Sequence, residues 1–239
     1  MSNTLLKFIL DDKIVEIDFN IEKKYNPTTS LLQYLRSLPN HKGTKEGCAE
    51  GDCGACTVVL VEINSEKKLS FNAIDSCLVF LPMIHGKKLI TVENIGKSDD
   101  LHPVQQAMIE KDGSQCGYCS PGIVMSLFSY FKNEKQFNKE IVKDYIVGNL
   151  CRCTGYKSIY SAAQNIDYVA KDFFDINYKN IINELETINM ENILSIKTDV
   201  QSYLKPFSLN DALDLRDKFP EALIVSGNIL IINTSSTFV

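Results

Sequence analysis

Eight cysteines stand in two sets along the chain. Cys48, Cys53 and Cys56 lie close together and are completed by Cys77, a spacing of C-x4-C-x2-C-x20-C; Cys116 and Cys119 are completed by Cys151 and Cys153, a spacing of C-x2-C-x31-C-x-C. A thiolate is the form of cysteine that ligates metal, so four thiols gathered in one place point to metal or redox chemistry. Gly47, Gly51 and Gly54 punctuate the first set. Residues without a Cβ permit positive φ and close approach, so such a loop can wrap an anionic group and aim its N–H dipoles at it. The sequence offers no nucleophile or acid–base pair in a plausible pocket, which makes electron handling, not substrate chemistry, the expected role.

The C-x4-C-x2-C opening is the spacing with which a plant-type loop holds a [2Fe-2S] cluster, with a distant fourth cysteine closing the cage. In the second set Cys119 directly precedes Ser120 and Pro121, which open a helix, and Cys153 lies a few residues before another helix near Ser158. Positive helix ends can therefore face the thiolates, an arrangement that favours an anionic group. Two four-cysteine zinc sites would use the same eight thiolates. The first spacing fits the iron–sulfur loop better than a zinc knuckle. Unliganded core cysteines would make the two compact sets a coincidence.

The chain has 239 residues, 44% apolar and 23% charged, enough for two compact domains and a remainder. Its net charge of -5 argues against a nucleic-acid surface, which needs clustered Lys and Arg. The opening MSNTLLKFIL lacks the charged start and long apolar core of a signal peptide, and no stretch reaches the roughly 18 apolar residues of a membrane span. A cytoplasmic location and no membrane partner are expected. That compartment keeps thiols reduced, which again favours metal over disulfides.

These cysteines need a scaffold of two kinds, and the fold class read from the pattern is α+β. Alternation over residues 4–19 about Asp11 and Asp12 predicts a β-hairpin. Leu31, Leu32, Tyr34, Leu35 and Leu38 follow Thr28-Thr29-Ser30 and predict a helix capped by Thr or Ser and stopped by Pro39. Strands over 57–63, 68–73 and 88–92 complete a β-grasp, ferredoxin-like domain of residues 1–92. Pro103 opens a helix that ends by Gly113; Ser120 and Pro121 open a second, and Asn138 a third that Gly148 closes. A stripe of Ile159, Ala162, Ala163, Ile166, Val169, Ala170 and Phe173 predicts a fourth, from about Ser158. The result is an all-α four-helix bundle over 93–175. Residues 176–201, rich in Asn, Glu and Lys, read as a linker, and 202–239 as an incomplete third unit.

Taken together, GTKEGCAEGDCGACT (43–57), QCGYCSPGIVM (115–125) and GNLCRCTGY (148–156) resemble the iron–sulfur motifs of the xanthine dehydrogenase and aldehyde oxidase family of molybdenum hydroxylases, with similarity over about residues 4–170. The resemblance implies that Cys48, Cys53, Cys56 and Cys77 hold a ferredoxin-type [2Fe-2S] cluster, and that Cys116, Cys119, Cys151 and Cys153 hold a second. It implies that Gln115 hydrogen-bonds the molybdopterin of a large partner subunit, whose electrons pass through the two clusters toward FAD. Residues 202–215 and 220–230 are similar to the start of the family's FAD domain, with Gly227 at the turn that meets the flavin pyrophosphate. Ile229 and Leu230 stand where a Thr and an acidic residue usually follow, so an ordinary strand end is an equal reading. The segment is too short to enclose a dinucleotide, so a truncated chain or split gene is expected, with FAD held by a separate chain or the missing remainder. Small subunits of aldehyde oxidoreductase or carbon monoxide dehydrogenase type stop after the helical domain, so the tail points to a xanthine dehydrogenase small subunit. The alternatives are those other subunits, or a non-catalytic zinc or iron–sulfur binding module.

His41, His85 and His102 are isolated and read as surface or satisfied core residues, with His102 able to cap the helix that follows it. Tyr118 and Tyr156 are expected to shield the second set. Arg152 either balances charge there or reaches solvent.

Overall fold

Asp11, at a φ of 55°, reverses the chain so that β1 (Leu6–Leu10) and β2 (Lys13–Ile17) pair antiparallel, with Leu10 opposite Lys13. The computed structural model describes residues 5–134, 136–188, 193–199 and 201–225. Helix α1 (Leu31–Ser37) starts at a capping box in which Ser30 and Gln33 satisfy each other's backbone N–H. Strands β3 (Thr57–Ile63), β4 (Leu69–Asp75) and β5 (Lys88–Ile90) complete a sheet of order β2-β1-β5-β3-β4, in which β1 and β5 are parallel and the other pairs antiparallel. This is the β-grasp arrangement.

Both faces of the sheet are covered. Val58 and Leu60 share a core with Phe8, Leu31 and Leu35 on the α1 side. Val59, Val61 and Phe71 point the other way, into a core built with the second domain. A strand buried on both faces has no polar side to show, which explains the unbroken apolar run from Val58 to Val61.

The second domain consists of α2 (Pro103–Glu110), α3 (Ser120–Asn133), α4 (Lys139–Ile146) and α5 (Lys157–Gln164). Helix α2 packs on α3 and α5, α4 packs on the same two, and α3 lies across β3 and β4. Every α3 residue from Gly122 to Phe131 is buried, so its sequence is apolar around its whole circumference. The Ser129 hydroxyl still finds a partner, donating to the Phe71 carbonyl at 2.7 Å.

Two expectations differ from the structure. The fourth helix, expected to run to Phe173, stops at Gln164. There the Asn165 side chain donates to the Ser161 carbonyl, Asp167 accepts from the Val169 N–H, and Asp172 caps a separate turn, α6 (Phe173–Ile176). Short polar side chains here offer the backbone local partners that compete with helical ones. The segment expected as a linker, 176–201, contains α7 (Tyr178–Ile188), whose Ile181, Leu185 and Ile188 join the core between the domains. It also contains β6 (Leu194–Lys197), paired antiparallel with β7 (Ser202–Lys205), and Leu194, Ile196 and Tyr203 of this hairpin pack into the α1-side core. Its polar composition masked a helical spacing of three apolar residues. Helix α8 (Leu209–Lys218) follows, and Gly227 lies outside the described residues.

Candidate metal centres

Cys48, Cys53 and Cys56 of the first set lie on the loop between α1 and β3. Gly54 has a φ of 63°, and a Cβ there would meet the Asn149 amide and lie 2.6 Å from the Gly148 carbonyl oxygen. Gly47 has no positive φ, but a Cβ on it would sit 2.7 Å from Cys53 Sγ. The loop aims its amides at sulfur. The Cys48 N–H donates to Cys53 Sγ at 3.4 Å, and those of Glu50 and Asp52 donate to Cys48 Sγ at 3.5 and 3.3 Å. Cys77, just after β4, stands with its Sγ 3.4 Å from that of Cys56. Two thiolates on one tetrahedral metal with bonds of about 2.3 Å lie roughly 3.8 Å apart, so this pair is nearly at ligating separation.

The second set sits between helix ends. Cys119 is the N-cap residue of α3, and Cys151 and Cys153 lie on the loop that leads to α5. Cys151 is buried, whereas Cys116 and Cys153 are exposed. Tyr156 braces this loop: its hydroxyl accepts from the Cys151 N–H at 2.9 Å and donates to the Asn149 carbonyl at 2.9 Å.

The thiols meet in pairs. Hydrogen bonding from Cys56 holds Cys77 below the ordinary thiol range, while that bond and burial push Cys56 up. Burial and the Cys151 contact push Cys119 up to about 12, whereas Cys151, despite desolvation, is brought down by Thr154 and Cys119. The Tyr118 N–H and Cys153 lower Cys116, and Cys153 is raised by the same contact. Cys48, for all its desolvation, is lowered by the N–H groups around it and by Cys53; Cys53 is raised, first by burial. In the first set the Cys56 thiol donates to Cys77 Sγ. Among the described residues no three Cys, His, Asp or Glu side chains close on a single ion position. The Cys56–Cys77 pair, 3.4 Å apart, could supply two ligands of one metal.

The two sets also touch. The Leu150 N–H donates to the Cys53 carbonyl at 2.9 Å, Asn149 Nδ2 donates to the Gly54 carbonyl at 3.0 Å, and the Tyr118 hydroxyl donates to the Glu46 carbonyl. The first of these is a backbone bridge from one cysteine loop to the other. Sequence reasoning missed Asn149, because its partners Gly54 and Thr57 lie more than ninety positions away. Gln115 is exposed beside Cys116, Arg152 is exposed, and Gly227 is outside the described residues. His41 pairs with Asp11 at 3.0 Å, the buried His85 accepts from the Lys7 N–H at 3.0 Å, and His102 caps α2.

The two cysteine-bearing regions each match a known family. A family model described as a 2Fe-2S iron-sulfur cluster binding domain matches residues 17–81, and one described as a [2Fe-2S] binding domain matches residues 91–164. Xanthine dehydrogenase of Emericella nidulans is 45% identical over 161 residues, covering 67% of this chain and 11% of that protein. Aldehyde oxidase 3 of Rattus norvegicus is 31% identical over 95% of this chain and 20% of its own length. The chain thus spans about a tenth to a fifth of the length of these relatives. The crystal structure of the aldehyde oxidoreductase from Desulfovibrio desulfuricans superposes with a TM-score of 0.58 at 27% identity, over 76% of this chain and 18% of that one. Quinoline 2-oxidoreductase from Pseudomonas putida 86, at 22% identity and a TM-score of 0.56 over 78% of this chain and 98% of that one, shares the fold. Among the described residues no helix is long and apolar enough to cross a membrane. With its two successive [2Fe-2S] domains and these oxidoreductase relatives, the chain carries the iron–sulfur region of the xanthine dehydrogenase and aldehyde oxidase family of molybdenum hydroxylases.

Proposed function

We propose that this chain is the electron-transfer part of a xanthine dehydrogenase, relaying electrons from a molybdopterin-binding partner toward FAD. Cys48, Cys53, Cys56 and Cys77 would hold one [2Fe-2S] cluster, and Cys116, Cys119, Cys151 and Cys153 the other. Such a cluster, when bound, takes up and releases single electrons at a potential tuned by hydrogen bonds to its sulfurs and by exposure. The protein's part is ligation, burial and the N–H groups of Cys48, Glu50 and Asp52 that point at sulfur. The observation that carries the reading is the meeting of the two sets at the hydrogen bond from Leu150 to Cys53. Exposure of Gln115, Cys116 and Cys153 supports the second set as the one nearest the partner.

A second reading, an aldehyde oxidase, is favoured by the alignment to the rat enzyme over 95% of the chain. Because that relative also extends through the tail, the tail does not separate the two readings. Purine or aldehyde oxidation after reconstitution with the native molybdenum subunit does.

The core of the proposal is tested on the chain alone. Anaerobically purified protein is expected to be red-brown, with about four iron and four sulfide per chain. Cys77→Ser is expected to remove only one of two reduced-state EPR signals, and Cys151→Ser only the other. Colourless protein with stoichiometric zinc, or loss of both signals from either folded variant, refutes the ligand partition.

A further inference from the structure

Asn149 sits where the two cysteine loops and α3 converge, and it is 3% exposed. Its amide is fully used. Nδ2 donates to the Gly54 carbonyl at 3.0 Å and to Thr57 Oγ1 at 3.1 Å, while Oδ1 accepts from the Ser126 hydroxyl at 2.6 Å. Gly54 and Thr57 flank Cys56, Ser126 lies on the helix that begins at Cys119, and Asn149 itself precedes Cys151 by two positions. One side chain therefore ties together the backbones that carry both sets.

The packing around it leaves no slack. A Cβ on Gly54 would run into the Asn149 amide, and a Cβ on Gly122 would run into the Gly54 carbonyl oxygen. Immediately beside Asn149, the Leu150 N–H donates to the Cys53 carbonyl at 2.9 Å. Through that bond, Cys53 of one set and Cys151 of the other are linked by backbone alone. Among the described residues the Asn149 amide bonds to no sulfur, so it touches no ligand atom directly. A buried amide with every group paired fixes a geometry, because any shift leaves a donor or acceptor unsatisfied.

We propose that Asn149 is a positioning residue that holds the contact between Cys53 and Leu150 closed and so sets the electronic coupling between the two clusters, without contributing to the binding of either. This rests on the reading of the chain as an electron relay. Coupling between two centres falls steeply with separation, so it responds to a displacement that leaves each set of four ligands intact.

The test uses the full chain with both clusters bound, compared as wild type, Asn149→Ala, Asn149→Asp and Ser126→Ala. Asparagine and aspartate have the same shape, and Asn149→Asp keeps the acceptor for Ser126 but turns oxygen lone pairs toward the Gly54 carbonyl. With both clusters reduced, low-temperature EPR of the wild type is expected to show spin–spin splitting. Asn149→Ala and Asn149→Asp are expected to lose the splitting while iron content and the individual signals persist, and Ser126→Ala is expected to keep it. Unchanged splitting in both Asn149 variants overturns the proposal, as does loss of iron from them, loss of the splitting in Ser126→Ala, or a fully loaded wild type without splitting. If Asn149→Ala does not fold, Thr57→Val, which removes one of the two bridged acceptors, is read in the same way: weakened splitting supports the proposal and unchanged splitting overturns it. Wild-type protein that binds iron in neither set overturns the electron-relay reading and this inference with it. A loaded, coupled wild type with unchanged Asn149 variants overturns this inference alone.

Discussion

Asp172 anchors a buried polar cluster outside the cysteine loops. It accepts from His102 Nε2 at 3.0 Å and from Lys132 Nζ at 2.8 Å, and Lys132 also reaches Asp175 at 2.8 Å. His102 Nδ1 accepts from the Val104 N–H at 3.2 Å, which fixes the tautomer that donates from Nε2 to Asp172. Burial opposes the charged carboxylate, but His102 and Lys132 overcome it and hold Asp172 well below its ordinary 3.8. A folded-state value lowered in this way stabilises the fold fully above the unfolded value, and the contribution is lost as pH falls through the folded one. Lys132→Met takes one charged partner from the buried carboxylate, which keeps His102 Nε2 at 3.0 Å and the Asp175 N–H at 2.8 Å, and removes the ammonium that faces the rings of Phe71, Phe131 and Phe174 at 5.2 to 5.9 Å. Removing one partner of a buried pair costs about 3–5 kcal/mol. Urea unfolding is expected to show that loss at neutral pH, shrinking as the pH drops below about 4, where a protonated Asp172 costs less to bury without the Lys132 charge. A gap between variant and wild type that stays constant across that range contradicts this account.

At the scale of elements, the junction between α3 and the first cysteine loop is the tightest approach in the site. Gly122 lies inside a helix, where alanine is favoured by about 1 kcal/mol on intrinsic propensity. The Gly54 carbonyl occupies the space its Cβ would need, and that atom is backbone, which cannot swing away. Overpacking of this kind costs about 1–3 kcal/mol, so Gly122→Ala is expected to lower stability despite the propensity gain. It is also expected to perturb both EPR signals, since α3 begins at Cys119 and Gly54 follows Cys53. A Gly122→Ala chain as stable as wild type in denaturant titration shows that the loop has room to retreat.

Across the whole molecule, the sheet lies between α1 and the helical domain, and α7 with the β6–β7 hairpin closes over its flanks. Cys116 and Cys153 of the second set are left at the surface with Gln115 beside them. If Gln115 contacts a pterin across a subunit interface, its loss leaves a buried group unpaired there at about 1–3 kcal/mol. Gln115→Ala is then expected to weaken assembly with the molybdenum subunit or slow cluster reduction in stopped flow, with iron content unchanged. Unchanged affinity and kinetics remove that role.

Much of this protein is local and could be read from the chain. Cysteine spacing, the Ser30 and Asn138 caps, Pro103 and Pro121 at helix starts, and the period-two and helical apolar patterns depend on neighbours a few positions away. They determined two cysteine sets, a β-grasp sheet and a run of helices. Tertiary structure decided what depends on distant partners: which thiol meets which, the break after Gln164, and the helix hidden in the polar segment after Ile176. It also decided that Asn149 would meet a carbonyl 95 positions earlier. An asparagine is ordinary in a loop and informative only when buried, and burial is set by the packing of α3 against β3, which no local pattern records.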